Sequence, residues 1–574
     1  MKHPGSNPGG KKPKINNLSV TLKRIGRYLF KRKSKLLLTM MMVALSSALA
    51  LAGPFLIGVA IDDYIASGDE RGLSWLLAGL ALVYIGYSLV SFLQNYWMAE
   101  VAQKTVYELR DDLFRHFHKL PVSFFDKRRH GELMSRVTND IDNISSTLNS
   151  SIIQVASGLL TLLGSIAVML YLSPVLTLIT LLIIPLMFGG MKWITNRTGP
   201  RFKEQQRHLG DLNGFIEEAI SSRHIVKMFS REDEMIGEFM EKNDRLREAG
   251  YLAQAYSGFI PKLMNLLNNT GFAVIALAGG ILALNGQASV GTIVIFTEYA
   301  RQFTRPLNDL ANQYNTMLSA VAGAERVFDI MDTREAVDRK ESRQHQLSGH
   351  VVFNNVAFSY EEGKPTLSNV SFQAEAGETI ALIGPTGSGK TTIMNLLARF
   401  YEPAGGAILF DGVDSREIAG SALRRQMGFV LQDTVLFEDT VMENIRYGRL
   451  DATDDEVIEA ARKANAHTFI MRMPDGYASK LSQDGSGISQ GQRQLLSIAR
   501  AILADPVILI LDEATSSIDT ITELHIQEAL GRLMEGRTSF VIAHRLNTIQ
   551  HADQVIRLRN GAIEAIGTYE NVVE

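Results

Sequence analysis

Apolar positions follow two regimes along the chain. In the first half they form long blocks; beyond residue 350 they shorten to strand-sized runs such as Val351-Val-Phe353 and Val356-Ala-Phe358. Six blocks, 36–61, 73–99, 152–171, 174–194, 259–284 and 290–317, are each long enough to cross a bilayer as a helix. The pattern predicts a multidomain membrane protein, with a six-helix all-α transmembrane domain followed by a soluble α/β domain. The expected limits are an N-terminal arm at 1–17, a membrane domain at 18–331, a linker at 332–349 and the α/β domain at 350–574.

Charge orients the spans. Eleven basic residues precede Leu36, and no acidic residue appears before Asp62. The first block is too long for the apolar core of a signal peptide, so it reads as a span. Val20 to Lys33 reads as an amphipathic helix on the cytoplasmic surface. Three connections between blocks are short and poor in Lys and Arg, and are expected outside. The other two, about 100–151 and 195–258, are long and basic and are expected inside. Both termini then face the cytosol, as in a multi-pass protein of a bacterial cytoplasmic membrane. A net charge of −3 offers no surplus for a nucleic-acid partner. The absence of cysteine excludes disulfides and thiolate chemistry.

The long inner connections carry helical apolar spacing at 101–119 and 205–239, so the spans are predicted to continue as helices below the membrane. A polar turn is expected at the bottom of each, at His130-Gly-Glu132 and around Ser221-Ser-Arg223. These turns suit docking into the following domain; solvated helix ends are the plain alternative. Within the spans lie Gln94, Asn95, Asn265, Asn268, Asn269, Glu298, Arg301 and Gln302. Polar groups at such depth face a cavity or a partner. One reading is a substrate-lining surface; the other is interhelical hydrogen bonding with a Glu298–Arg301 or Glu298–Arg305 pair.

The chemistry concentrates in Gly384-Pro-Thr-Gly-Ser-Gly-Lys-Thr-Thr392, which fits G-x-x-x-x-G-K-[ST] between a predicted strand, 379–383, and a predicted helix, 391–400. The glycines Gly384, Gly387 and Gly389 let the backbone curl so that its N–H groups, with Thr386, Ser388 and Thr392, surround phosphate oxygens. Lys390 is placed for the β- and γ-phosphates, and the Thr391 hydroxyl for Mg²⁺. Val507-Ile-Leu-Ile-Leu-Asp512 is an apolar strand ending in a second Mg²⁺ carboxylate, and Glu513 after it suits polarisation of water. Gln432 offers an amide for Mg²⁺ or the attacking water. His544, after another apolar strand, suits holding the γ-phosphate or Glu513; alone it would read equally as structural. Tyr360 offers a ring for the nucleotide base. Ser489, Gly491 and Gln492 open a predicted helix at 493–503, an anion-binding arrangement.

Taken in order, Tyr360, the phosphate loop, Gln432, Ser489-Gln-Gly-Gln492, Asp512-Glu513, Ser516-Ser-Ile-Asp519 and His544 resemble an ATP-binding cassette. With six spans ahead of it, and with Phe124-Phe-Asp126, Val290-Gly-Thr292 and Gly323-Ala-Glu-Arg326, the chain resembles the exporter-type half-transporters. That resemblance implies ATP and Mg²⁺ as ligands and hydrolysis coupled to alternating access. It also implies a second half-transporter as partner, with each ATP held between the loop of one chain and the Ser-x-Gly-Gln signature of the other. Asp519 enters the nucleotide-contacting set on the same ground.

Two departures stand out. Ile488 and Gln490 replace the usual Leu and Gly of the signature, and Ser482-Gln483 stand where a Gly-Glu pair is usual. Glu513 and His544 are nevertheless present. This asymmetry resembles one half of bacterial heterodimeric multidrug exporters, whose partner lacks the catalytic glutamate. It implies one hydrolytic site, built on this chain's Lys390, Asp512, Glu513 and His544 with the partner's signature, and one weak site using this chain's Ser489 and Gly491. A glutamine at this signature position also occurs in self-pairing exporters. The implied cargo is a hydrophobic or amphipathic small molecule, drug-like or lipid-like, with a homodimeric lipid or peptide exporter as the alternative. A regulatory protein without transport fits an intact hydrolytic set poorly.

Overall fold

The computed structural model describes residues 18–336, 346–361, 363–431, 434–482, 487–512, 519–543 and 546–573. The described chain divides into two compact units. One holds residues up to 118 together with 130–333; the other holds 119–129 and the chain from 334 onward.

The first unit is helical throughout, as its apolar blocks dictate. It contains α1 (Leu18–Phe30), α2 (Lys33–Val59), α3 (Glu70–Phe117), α5 (His130–Ser135), α6 (Ile141–Leu172), α7 (Pro174–Ser221), α8 (Arg223–Met228), α9 (Glu232–Leu284) and α10 (Val290–Met331); the short α4 (Val122–Asp126) belongs to the second unit. By length and composition among the described residues, Lys33–Ile65, Glu70–Phe117, His130–Leu172 and Glu232–Leu284 are long and apolar enough to cross a membrane. The blocks at 174–194 and 290–317 fall within α7 and α10. Ser173 caps α7 by accepting from the Leu176 N–H, with Pro174 at the first helical position. That is why α6 and α7 meet in so tight a turn.

Packing follows the apolar faces. Met169, Leu176, Ile275, Ile295, Phe296 and Tyr299 form a buried cluster between α6, α7, α9 and α10. Tyr299 satisfies its hydroxyl by donating to the Leu51 carbonyl at 2.7 Å. The most apolar stretch of α3 is not buried within the unit at all, the expected state of a surface solvated by lipid. The amphipathic α1 is anchored by polar contacts: Tyr28 donates to Asp112 at 2.8 Å, and Lys31 and Arg32 both pair with Glu108. Arg24 pairs with Asp332 and lies over Phe328, 4.1 Å from the ring centroid.

The predicted turn at His130-Gly-Glu132 is instead the first turn of α5. The break comes earlier: Pro121 disfavours helix at Leu120, and residues 119–129 turn away and pack in the second unit. The second predicted turn, at Ser221–Arg223, is a helix break where the Ser222 N–H bonds the Glu218 carbonyl.

Among the described residues the second unit has two sheets. One, ordered β2-β1-β4-β5, comprises β1 (Val351–Phe358), β2 (Leu367–Ala374), β4 (Gly405–Phe410) and β5 (Val413–Asp414). The other, ordered β10-β9-β3-β8-β7-β6, comprises β3 (Thr379–Ile383), β6 (Met427–Val430), β7 (Ile508–Asp512), β8 (Thr538–Ile542), β9 (Gln554–Arg559) and β10 (Ala562–Gly567). All its pairings are parallel except the β9–β10 hairpin. The helices are α11 (Lys390–Leu397), α12 (Gly420–Arg424), α13 (Val441–Arg446), α14 (Asp454–Lys463), α15 (His467–Ile470), α16 (Gln490–Ala504), α17 (Thr520–Met534), α18 (Leu546–Gln550) and α19 (Tyr569–Val573). One core fills the space between the sheets and α11, built on residues such as Phe353, Ile380, Leu397, Phe410 and Phe540. A separate core ties α13, α14, α16 and α17 together through Ile445, Val457, Leu496, Ile498 and Leu533.

Candidate nucleotide site

The parallel sheet gathers scattered sequence positions at one edge. Leu382 of β3 is level with Ile542 of β8, which is level with Asp512 of β7; Leu511 is in turn level with Val430 of β6. The phosphate loop follows β3, and Gln432 follows β6 two residues on. Asp512 ends β7, with Glu513 next in sequence, and His544 follows β8 two residues on. Ligands of open α/β sheets bind outside these carboxyl ends. Gln432, Glu513 and His544 themselves lie outside the described residues.

The loop geometry comes from its glycines. Gly384, Gly387 and Gly389 have φ of +146°, +81° and +106°, a region L side chains seldom enter. Gly389 is the residue ahead of α11, and a Cβ there would come within 2.5 Å of a Leu367 methyl. The turn therefore closes only on glycine and delivers Lys390 to the first position of the helix. Lys390 is buried, and its ammonium donates to the carbonyls of Gly384 at 2.7 Å and Pro385 at 3.0 Å. Burial pushes its pKa below the usual lysine value; the nearby Asp512 charge acts the other way. Ser388 is buried, and its hydroxyl has no hydrogen-bond partner among the described residues. Thr386, Gly387 and Thr391 are exposed, and Thr392 is buried.

Tyr360 stands at the end of β1, held from α11: Asn395 donates to its hydroxyl at 3.1 Å, which in turn lies 3.3 Å from the Thr392 hydroxyl. Its ring meets Phe358 and Tyr401 edge-on, with centroids 4.8 Å and 5.0 Å away. Asn395 and Tyr401 carry no motif of their own, so only the fold reveals them as parts of this corner.

The signature residues sit on the other core. The helix opens at Gln490, three residues before the predicted start, because Ser489 and Gln492 form a reciprocal cap. Ser489 Oγ accepts from the Gln492 N–H at 3.2 Å, and Gln492 Oε1 from the Ser489 N–H at 2.9 Å. Gly491 is buried. Asp519 caps α17 by accepting from the Thr522 N–H at 2.9 Å, which holds its carboxyl below the usual range. Gln483 and Ser516–Ile518 lie outside the described residues.

Among the intramembrane polar groups, Gln94 accepts from Ser46 at 2.9 Å, an interhelical bond between α2 and α3. Asn95 turns back to its own helix, donating to the Ser91 carbonyl at 2.7 Å. Glu298 pairs with Arg301 at 3.4 Å. The side chain of Arg305 lies outside the described residues.

Residues 36–307 match the family of the ABC transporter transmembrane region, and residues 367–516 match the ABC transporter ATP-binding family. The ABC transporter ATP-binding protein YfiC of Bacillus subtilis is 58% identical over 565 residues, 98% of this chain and 94% of that protein. The fatty acid ABC transporter ATP-binding/permease protein of Mycobacterium bovis is 44% identical over 504 residues, 88% of this chain and 79% of that protein. The solved structure of a bacterial Atm1-family ABC exporter with ATP bound superposes with a TM-score of 0.74 at 28% identity, covering 94% of this chain and 96% of that one. Transmembrane helices and an ATP-binding cassette thus share one polypeptide, and the chain belongs to the ABC transporters as an exporter, an ATPase coupled to transport.

Proposed function

We propose that this chain is one half of a dimeric exporter that moves hydrophobic or amphipathic small molecules out across the cytoplasmic membrane, paired with a different half. The observation that carries this is the combination, in one chain, of a complete loop-and-carboxylate set with the altered signature Ile488-Ser-Gln-Gly-Gln492. Lys390 exchanges its two loop carbonyls for β- and γ-phosphate oxygens of ATP, and Ser388 finds its missing partner there. Tyr360 carries the base. The Thr391 hydroxyl and the Asp512 carboxylate, with Gln432, are hard oxygen donors that suit Mg²⁺, which supplies charge neutralisation between the phosphates. Glu513 polarises the attacking water, and His544 holds the γ-phosphate or Glu513 in place. Ser489, Gly491, Gln492 and Asp519 serve the partner's nucleotide. The short, base-poor connections face outward and both termini the cytosol.

A second reading is a homodimer moving lipid-like cargo. Its support is the fatty acid transporter that is 44% identical to this chain. One experiment separates the two: ATPase activity of the chain purified alone in nanodiscs, with its mass. A stable dimer hydrolysing ATP establishes the homodimer. An inactive chain rescued by co-expression with a neighbouring half-transporter establishes the heterodimer. In the active assembly, Glu513→Gln should lower turnover by about 10²–10⁴-fold with ATP binding retained; substantial residual turnover would place hydrolysis elsewhere.

A further inference from the structure

Asp512, at the end of β7, forms part of the wall of a small cavity inside the second unit, about 20 Å³ in volume. The polar lining comes from four separate elements: Asp512 of β7, Gln494 of α16, Gln527 of α17 and Thr548 of α18. Leu511 and Val541 supply apolar wall. A space of this size admits one water molecule. The four polar side chains meet the other requirement for a buried water, roughly two to four hydrogen-bonding partners.

Gln494 is the side chain that needs such a guest. It is 6% exposed, and the next residues of its helix, Leu495 and Leu496, are buried in the apolar core. Asp512, Gln527 and Thr548 each have another interaction in the protein, whereas the side-chain amide of Gln494 has no hydrogen-bond partner among the described residues. A buried amide left unpaired costs free energy, and a helix position that served packing alone would be filled as well by leucine or methionine.

We propose that this cavity is a binding site for a single buried water held by Gln494, and that Gln494 is a positioning residue which steadies the Asp512 carboxylate through that water. The inference rests on the reading of Asp512 as a Mg²⁺ carboxylate. The donor order is consistent: the Gln494 amide donates to the water, and the water donates to Asp512, which when ionised only accepts. An ionised carboxylate accepts at two oxygens, so it can serve a metal and a water together. Groups that hold a metal ligand from behind fix its orientation and raise its basicity. Gln494 lies one turn into α16, beyond the Ser489–Gln492 cap, so the brace is the body of the helix and does not depend on the cap.

The test is Mn²⁺ binding, read by electron paramagnetic resonance of the free ion, on the full-length assembly in nanodiscs with a non-hydrolysable ATP analogue. Asp512→Asn sets the reference and should weaken Mn²⁺ binding; an unchanged affinity there removes the metal reading and this proposal with it. Gln494→Met keeps the length and the helix preference and removes the amide. It should weaken Mn²⁺ binding about tenfold. Binding of the analogue in EDTA and the thermal midpoint should stay as they are, whereas a purely structural role would lower the midpoint. Val541→Ile approaches from the opposite wall: the added methyl takes the space of the water while Gln494 stays, and Mn²⁺ binding should fall in the same way. With Asp512→Asn weakened, an Mn²⁺ affinity within about twofold of the unsubstituted protein overturns the positioning role if seen in Gln494→Met, and overturns the water if seen in Val541→Ile. Should Gln494→Met fail to fold, Val541→Ile decides alone.

Discussion

Ser388 is the residue at which this site differs most from an ordinary turn. A buried hydroxyl without a partner costs free energy in the empty protein and recovers it only when an oxygen arrives. Ser388→Ala should therefore leave the thermal midpoint of the nucleotide-free protein unchanged or slightly raised, while weakening ATP binding about tenfold, equivalent to about 1.4 kcal/mol. Calorimetry with and without ATP reads both halves of that statement. The same residue marks what a sequence can reveal. Gly384 to Thr392 are contiguous, and their chemistry is set by local backbone geometry, so they are legible in one dimension. Asn395 and Tyr401 reach Tyr360 only because the fold brings them to the residues just past β1, and no local pattern foretells that. Ser489 falls between: its place at a helix start was legible, but not that its hydroxyl closes a reciprocal cap with Gln492.

At the scale of elements, the junction of α5 and α6 is held by charge. A π-helical turn at Arg136–Asp140 joins them, and Asp140, its side chain 5% exposed, accepts from Arg136 at 3.0 Å and from Nε and Nη2 of Arg326 on α10. A buried carboxylate between two guanidinium groups is costly to remove from one side. Asp140→Ala should destabilise the membrane unit by about 3 kcal/mol or more. The exposed Arg110–Asp142 pair is the control, and Arg110→Ala should cost under about 1 kcal/mol. Thermal unfolding in nanodiscs distinguishes the two. The helices themselves were predictable because apolar blocks in a bilayer have no other way to satisfy their backbones. The helical spacing at 101–119 runs to within two residues of the end of α3 at Phe117, but the turn itself falls at Leu120-Pro121 rather than at the more turn-like 130–132, because proline decides.

The two cores that carry the site residues have a consequence for the whole molecule. The loop and Tyr360 belong to one, the signature cap to the other, so the two halves of any composite site are separately stabilised. Damage to the signature should not propagate to this chain's own loop. In a heterodimer, Ser489→Ala should then lower turnover far less than Glu513→Gln, by less than about tenfold, whereas a symmetric pair would lose both sites together. ATPase assays of the co-expressed complex decide between these.

One feature of the bundle sets a mechanical scale. α3 runs 48 residues without a proline, while α7, α9 and α10 each contain at least one. Such a helix is about 72 Å long and behaves as a strut, whereas its proline-bearing neighbours carry built-in flexure points. Pivoted at one end by only about 5°, a rod of that length sweeps its far tip through about 6 Å, roughly the pitch of one helical turn. Small rotations within the bundle are thus geared up, by length alone, to displacements as wide as an acyl chain.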